Sequence, residues 1–403
     1  MRASNRLGML LTRSAMVAGG ALCGSAAAQC INFEEVTTLA EGALVGDGID
    51  SPVPGFELLF MVDGEVVYQR AFGTWHVGRV GNTDSATKTL AGALIVSLTA
   101  ESPQPFSLDT RLSEYIPQFS GNKSGITIRQ CFAHCSGLRA NNANASTTLT
   151  LQQAALSIAA LPLLYTPDSA FSYGGTSMHA AGAVAELASG QSWNAAFAAR
   201  ILNPLGLTRT RFVLSSPTNP RIAGGCESNA LEFGTVMEML RKGGVHDGVR
   251  VMPAEAVEDM FTRQSPVGVP VINSPILGEG SDYGVGVWLD DRDSDGELTG
   301  AIAAGARGFA SWIDFDDGMV GVFATDLSAS GNVQPLLYAL RAAAERALRA
   351  RCNGDADCDL DTDSDDVAAF FAQFEAGDGD VDRDGDTDSD DVAVFFGAWE
   401  GGC

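Results

Sequence analysis

Asp84-Ser85-Ala86-Thr87-Lys88 places a hydroxyl and an amine three residues apart at the start of an apolar segment. Three residues make nearly one helical turn, so Lys88 lies beside Ser85 on one face. A lysine taken out of water gives up its proton more readily, and the neutral amine can accept the proton of a serine hydroxyl. A helix N-terminus adds a positive field and free N–H groups for an anion developing on a substrate oxygen. The chemistry is nucleophilic acyl transfer, with Ser85 attacking and Lys88 activating it. Alone, the pattern is weak: a helix cap followed by a surface lysine has the same spacing.

A second constellation lies at the C-terminus. Asp355, Asp357, Asp359, Asp361, Asp363 and Asp366 fall at positions 1, 3, 5, 7, 9 and 12 of a loop. Asp380, Asp382, Asp384, Asp386, Asp388 and Asp391 repeat the pattern 25 residues later. Oxygen ligands at alternate positions plus one at twelve wrap a hard cation of calcium size. Gly385 occupies the sharp turn of the second loop, whereas Leu360 stands there in the first, so the first site is the weaker one. Phe370, Phe371, Phe374, Phe395, Phe396 and Trp399 offer a small core, which a merely disordered acidic tail would lack. A third acidic run, Asp291–Glu297, has Ile302 at position twelve and reads as a solvated loop.

These loops also explain the charge. The 403 residues hold 50 acids against 25 bases, a net −25, and 17 of the acids lie in residues 352–403 beside the single base Arg383. The other residues carry an ordinary net −9. The balance argues against nucleic acid or an anionic membrane as partner, because phosphates would be repelled.

The elements that must position Ser85 follow from periodicity. Phe56–Phe72 alternates around Asp63-Gly64, a hairpin signal. Leu90, Leu94, Ile95 and Leu98 predict a helix over 85–101. Residues 126–205 read as mostly helical, and 229–242 and 253–263 as two helices joined at Gly243-Gly244. Strand patterns return at Tyr283–Leu289, Gly308–Phe315 and Met319–Thr325, and Gln334–Arg351 reads as an amphipathic helix. Strands at both ends with helices between predict an α/β (α+β) domain: an antiparallel sheet flanked by helices, with an inserted helical subdomain. A small all-α calcium-loop module would follow.

The segment Asp84–Pro117, with Ser-Ala-Thr-Lys, Phe106-Ser107-Leu108-Asp109 and Leu112-Ser113-Glu114-Tyr115-Ile116-Pro117, resembles the serine β-lactamase and penicillin-binding-protein superfamily, in its class C-like and esterase branch. So do His134-Cys135-Ser136-Gly137-Leu138, Phe171-Ser172-Tyr173-Gly174-Gly175-Thr176 and Gly224-Gly225. The likeness covers about residues 35–350. It implies that Ser85 is acylated, that Lys88 activates it and that Tyr173 is a second proton carrier sharing a proton with Lys88. Ala303-Ala304-Gly305 stands at the family's third motif. By that resemblance Gly305 lets substrate lie against a strand, and the N–H groups of Ser85 and Ala306 bind the oxyanion. Two departures matter. Tyr173-Gly174-Gly175 lacks the family's Asn, and Ala303 replaces its Lys or His. Both weaken recognition of β-lactams and D-Ala-D-Ala peptides, so an esterase on small esters is expected ahead of a carboxypeptidase, a β-lactamase or an inactive binding scaffold. Arg307 stands near enough in sequence to supply a cation, although a solvent-facing arginine is the simpler expectation. The paired Asp loops resemble dockerin modules, which implies bound Ca2+ and a cohesin-like or cell-surface partner; catalysis itself needs no cofactor.

No Gly-x-Ser-x-Gly elbow occurs, and His134 and His179 read as packed or capping residues rather than triad members. Residues 1–28 read as a secretory signal, with Arg2 and Arg6, an apolar stretch and Ala26-Ala27-Ala28 before Gln29. The expected location is therefore secreted, periplasmic or on the cell surface. Seven cysteines remain after cleavage, an odd number, so at least one is free or paired between chains. Cys352 and Cys403 bracket the acidic module and Cys358 competes with them. The expected division is 1–28 leader, 29–351 hydrolase domain and 352–403 calcium module.

Overall fold

The computed structural model describes residues 31–100, 103–141, 146–275, 281–327, 333–350, 353–357, 362–377, 379–381 and 386–401. The leader, Cys30, Cys352, Cys358, Cys403, Asp359, Asp361, Asp382 and Asp384 lie outside them.

Six strands form one antiparallel sheet: β1 (Gly55–Val62), β2 (Glu65–Gly73), β3 (Trp288–Arg292), β4 (Leu298–Ala304), β5 (Ala310–Asp314) and β6 (Met319–Ala324). Their order is β3-β4-β5-β6-β1-β2. The two chain ends meet where β1 pairs with β6, Leu59 opposite Val322, as the sequence pattern predicts. Asp63 and Gly64 both have positive φ, 51° and 101°, which the two-residue turn between β1 and β2 requires.

Strand alternation sorts β1 into two cores. Leu59 and Met61 pack with the helical side of the molecule. Phe56, Leu58, Phe60 and Val62 pack against helix α1 (Glu34–Ala43) and the C-terminal helix of the domain, Gln334–Arg349. All eight β1 residues are buried, so this strand is the spine of the domain.

On the helical side, α2 (Thr87–Ala100) is buried along twelve consecutive residues, Thr87–Leu98. Its apolar surface runs all round because it sits between sheet and subdomain. Gly92 lets it approach the 284–287 segment: a Cβ there would lie 2.1 Å from the Val285 carbonyl oxygen. The subdomain contains α3 (Ile128–Phe132), α4 (Leu151–Ala159) and α5 (Thr176–Ser189). Residues 126–205 are therefore less continuously helical than their composition predicts. Thr127 and Thr150 cap α3 and α4 by accepting the N–H groups of Gln130 and Gln153, and a short strand, Phe171–Ser172, precedes α5. Helices α6 (Ala230–Arg241) and α7 (Ala254–Phe261) stand where expected, but a two-stranded hairpin, Val245–His246 with Val249–Arg250, separates them. Helix α8 (Gln334–Arg349) ends the domain.

Near the C-terminus, α9 (Ser364–Ala376) and α10 (Ser389–Gly401) follow the two acidic loops. Phe370 and Phe395, equivalent positions of the repeat, stack at 4.1 Å with rings 4° from parallel. Among the described residues no helix is long and apolar enough to cross a membrane.

Candidate active site

Ser85 sits in a 3-10 turn, Asp84–Ala86, that leads into α2. With three residues per turn, positions i and i+3 eclipse, and Lys88 Nζ donates to Ser85 Oγ at 3.0 Å. The turn is pinned from behind: Thr83 Oγ1 lies 2.8 Å from Thr87 Oγ1 and donates to the Cys226 carbonyl at 3.0 Å. Asp84 takes a positive φ of 44°, and its carboxylate is held by Arg307 at 2.8 and 3.3 Å.

Lys88 is 3% exposed. Its second acceptor is the Ala223 carbonyl at 2.9 Å. Burial, reinforced by the Arg221 charge and opposed by Asp84, lowers its pKa to about 7. Lowered this far, the amine can act near neutral pH as the base for Ser85.

Tyr173 comes from the subdomain. It follows the short strand Phe171–Ser172, which pairs with Val271–Asn273, and its N–H donates to the Asn273 carbonyl at 2.8 Å. Its ring stacks on Trp288 at 5.3 Å and rests against His134 at 4.5 Å. Lys88 Nζ lies 4.4 Å from the centre of the Tyr173 ring. Burial pushes the phenol up to about 12, with a hydrogen bond to Ser85 opposing it. The phenol therefore stays protonated near neutrality, and it lines the same cavity as Ser85 while Lys88 meets the ring face.

The third motif ends β4. Strand alternation puts Ala303 into the core, while Ala304 and Gly305 line a cavity beside Ser85. Neither offers a cation. Gly305 donates its own N–H to Phe309 at 2.7 Å, and a Cβ on it would lie 2.4 Å from the Thr83 carbonyl. Glycine is thus needed at 305 for the packing of the Ser85 turn, whatever a substrate requires. The Ala306 N–H has no backbone acceptor among the described residues. Arg307 is not a free cation, because Asp84 and Asp326 hold it, each at 2.8 Å, with about a third of its side chain still exposed. The absent Asn has a steric counterpart: a Cβ on Gly174 would lie 1.9 Å from the Ala140 carbonyl, and one on Gly175 3.1 Å from Ala223 Cβ.

Neither histidine hydrogen-bonds Ser85 among the described residues. His134 Nδ1 accepts the Gly174 N–H at 3.4 Å, and His179 Nε2 lies 2.8 Å from Asn219 Oδ1. Burial lowers the pKa of both. Cys131, Cys135 and Cys226 are buried free thiols, pushed up by burial.

The site opens as two lobes that share Ser85, Tyr173 and Ala306. The polar lobe, about 480 Å³, is lined by Lys88, Asn141, His179 and Arg221. The other, about 230 Å³, is walled by Trp288, Ile302, Leu337 and Tyr338. Asn141 and Arg221 escaped the sequence reading. Arg221 carried a weak signal, as the only charged residue between Arg211 and Glu227.

A family model for beta-lactamase matches residues 41–345. The chain belongs to the beta-lactamase family. This is a family of serine hydrolases, and the antiparallel sheet with flanking helices is its fold. Penicillin-binding protein 4 from Amycolatopsis lactamdurans is 27% identical over 227 residues, 51% of this chain and 58% of that protein. The chain thus matches little more than half the length of that curated relative. Among solved structures, a protein from Bacteroides dorei DSM 17855 with a provisional beta-lactamase assignment has a TM-score of 0.69 at 24% identity, covering 78% of this chain and 99% of its own. A family VIII carboxylesterase has a TM-score of 0.65 at 19% identity, covering 79% and 99%. At these identities both likenesses speak to the fold.

In the acidic module, carboxylate oxygens of Asp355, Asp357 and Asp366 lie within 4.8 Å of one another. Asp366 is 1% exposed and accepts the N–H groups of Ala356 at 2.7 Å, Asp357 at 3.2 Å and Asp363 at 2.7 Å. Asp391 does the same in the second loop, accepting from Val381 at 2.5 Å and Asp388 at 2.8 Å. The position-twelve carboxylates, both buried, therefore organise their loops, and Asp380 is half-buried. Clustered hard oxygen donors, those of Asp355 and Asp366 buried, suit a calcium-sized ion.

Proposed function

We propose that this member of the family is an exported esterase of the class C-like branch, acting through an acyl-Ser85 intermediate on small esters. The observation that carries this reading is the 3.0 Å hydrogen bond between Ser85 and a buried Lys88 whose pKa is about 7. Lys88 takes the Ser85 proton as Oγ attacks the acyl carbon. The N–H groups of Ser85 and Ala306 stabilise the oxyanion, and Gly305 shapes the adjoining wall. Tyr173, protonated and beside Ser85, delivers its proton to the departing alkoxide and recovers one from Lys88. Water then repeats the attack on the acyl-enzyme and frees the acid. Esters suit the site better than amides or β-lactams because neither β4 nor the Tyr173 loop presents the family's cation or Asn.

The acidic module we read as a separate dockerin-like unit, residues 352–403, in which Asp355, Asp357, Asp359, Asp361 and Asp366 hold one Ca2+ and Asp380, Asp382, Asp384, Asp386 and Asp391 a second. The bound ion neutralises carboxylates that otherwise repel. Its partner would be cohesin-like or on the cell surface.

A fluorophosphonate probe should label Ser85 stoichiometrically, and Ser85→Ala should abolish both labelling and turnover of a p-nitrophenyl ester. Unchanged ester turnover in Ser85→Ala would remove the assignment. The peptidase or β-lactamase reading is favoured by the likeness to penicillin-binding protein 4, and prompt hydrolysis of nitrocefin would support its β-lactamase form.

A further inference from the structure

The two lobes differ in charge as well as polarity. The smaller one has no charged lining side chain among the described residues. In the polar lobe, Asp84 is taken up by Arg307, and Lys88 is spent on Ser85 and the Ala223 carbonyl. Arg221 remains. No carboxylate lies within ion-pair distance of it among the described residues, in contrast to Arg307. Its charge is nevertheless felt inside the lobe, at Lys88 and at His179.

Its backbone is fixed. The Arg221 N–H donates to the Leu214 carbonyl at 2.5 Å, and its carbonyl accepts from Gly224 at 3.2 Å. A Cβ on Gly225 would lie 2.7 Å from the Arg221 carbonyl oxygen, so that turn is closely packed. The Arg221 side chain is exposed at the wall of the reactive pocket, and a guanidinium there with no carboxylate partner among the described residues can receive a carboxylate in bidentate fashion.

We propose that Arg221 recognises a carboxylate on the substrate, so that the polar lobe takes an anionic group while the smaller lobe takes a hydrocarbon group across Ser85. The cation that β4 does not supply is provided from the 219–225 turn, on the other side of the nucleophile. The preferred substrate is then an ester bearing a free acid on one side of the scissile bond and an apolar group on the other. As a statement about turnover this rests on the acyl-Ser85 reading; as a statement about binding it does not.

Two measurements separate the readings. The first compares kcat/KM for mono-p-nitrophenyl glutarate and p-nitrophenyl valerate, esters of similar length with and without a terminal carboxylate, in the wild type, Arg221→Gln and Arg221→Lys. The anionic-to-neutral ratio should fall about tenfold or more in Arg221→Gln, the worth of one charge-assisted contact, and recover in part in Arg221→Lys. The second titrates monomethyl glutarate into Ser85→Ala protein by calorimetry, where a further Arg221→Gln change should weaken binding about tenfold. A ratio and an affinity both indifferent to Arg221 overturn the inference and leave the hydrolase reading intact. Arg221-dependent glutarate binding with no turnover of either ester supports the inference while removing the hydrolase reading. Absence of both binding and turnover overturns both.

Discussion

Lys88→Met tests the central physical claim, because the buried amine should cost stability in a pH-dependent way. Burial moves Lys88 from its ordinary 10.5 to about 7. At about 1.4 kcal/mol per pH unit, keeping that amine in the folded site at pH 7 costs about 4–5 kcal/mol. The unfolded chain holds the Lys88 proton up to about pH 10, whereas the folded chain releases it above about 7. Between these values the unfolded state binds more protons, so the wild type gains stability as pH rises through this window. Methionine has similar length and never ionises. It forfeits the bonds to Ser85 Oγ and the Ala223 carbonyl, an offset of about 1–3 kcal/mol for a buried acceptor left unpaired. Lys88→Met should therefore be inactive yet more stable than the wild type by about 2 kcal/mol at pH 7. That advantage should shrink by about 3–4 kcal/mol, and reverse, by pH 10. Urea denaturation of both proteins at pH 7 and pH 10 measures it. A stability difference that is the same at the two pH values refutes the argument that desolvation sets the basicity of Lys88.

Two other outcomes follow from the same geometry. The wild-type kcat/KM for a neutral ester should rise with pH through about 7 as Lys88 loses its proton. In Arg221→Gln, without that neighbouring charge, the rising limb should move to higher pH, and a profile flat from pH 5 to 9 would exclude Lys88 as the base. Chelation of the full chain should lower helical circular dichroism as α9 and α10 loosen, and Asp366→Ala with Asp391→Ala should reproduce the loss in the presence of calcium; an unchanged spectrum in both cases counts against a calcium-dependent fold.

Some elements were legible because local chemistry fixes them. Asp63-Gly64 sets the β1–β2 hairpin through two positive φ values. Asn229 caps α6 by accepting the Glu232 N–H, at the predicted start of that helix. The helical middle was read too continuously because alanine and leucine patterns say little about where a chain breaks. Gly137, for example, must approach the Tyr165 carbonyl so closely that a Cβ would lie 2.0 Å from it. Strand β4, Leu298–Ala304, is rich in Ala and Gly and lacks the β-branched run that marks a strand; its pairing between β3 and β5 makes it one.

By itself the sequence determined what depends on neighbours along the chain. Ser85 and Lys88 meet because they stand one turn apart, and the repeated Asp loops lead into matching helices because their spacing is periodic. Tertiary structure alone decided that the Tyr173 ring lies over the Lys88 amine beside Ser85, that Ala304 and not Ala303 faces the cavity, and that Arg307 is ion-paired while Arg221 meets no carboxylate among the described residues. Those outcomes depend on which distant segments pack together, and so on desolvation and charge neighbours that no local spacing encodes.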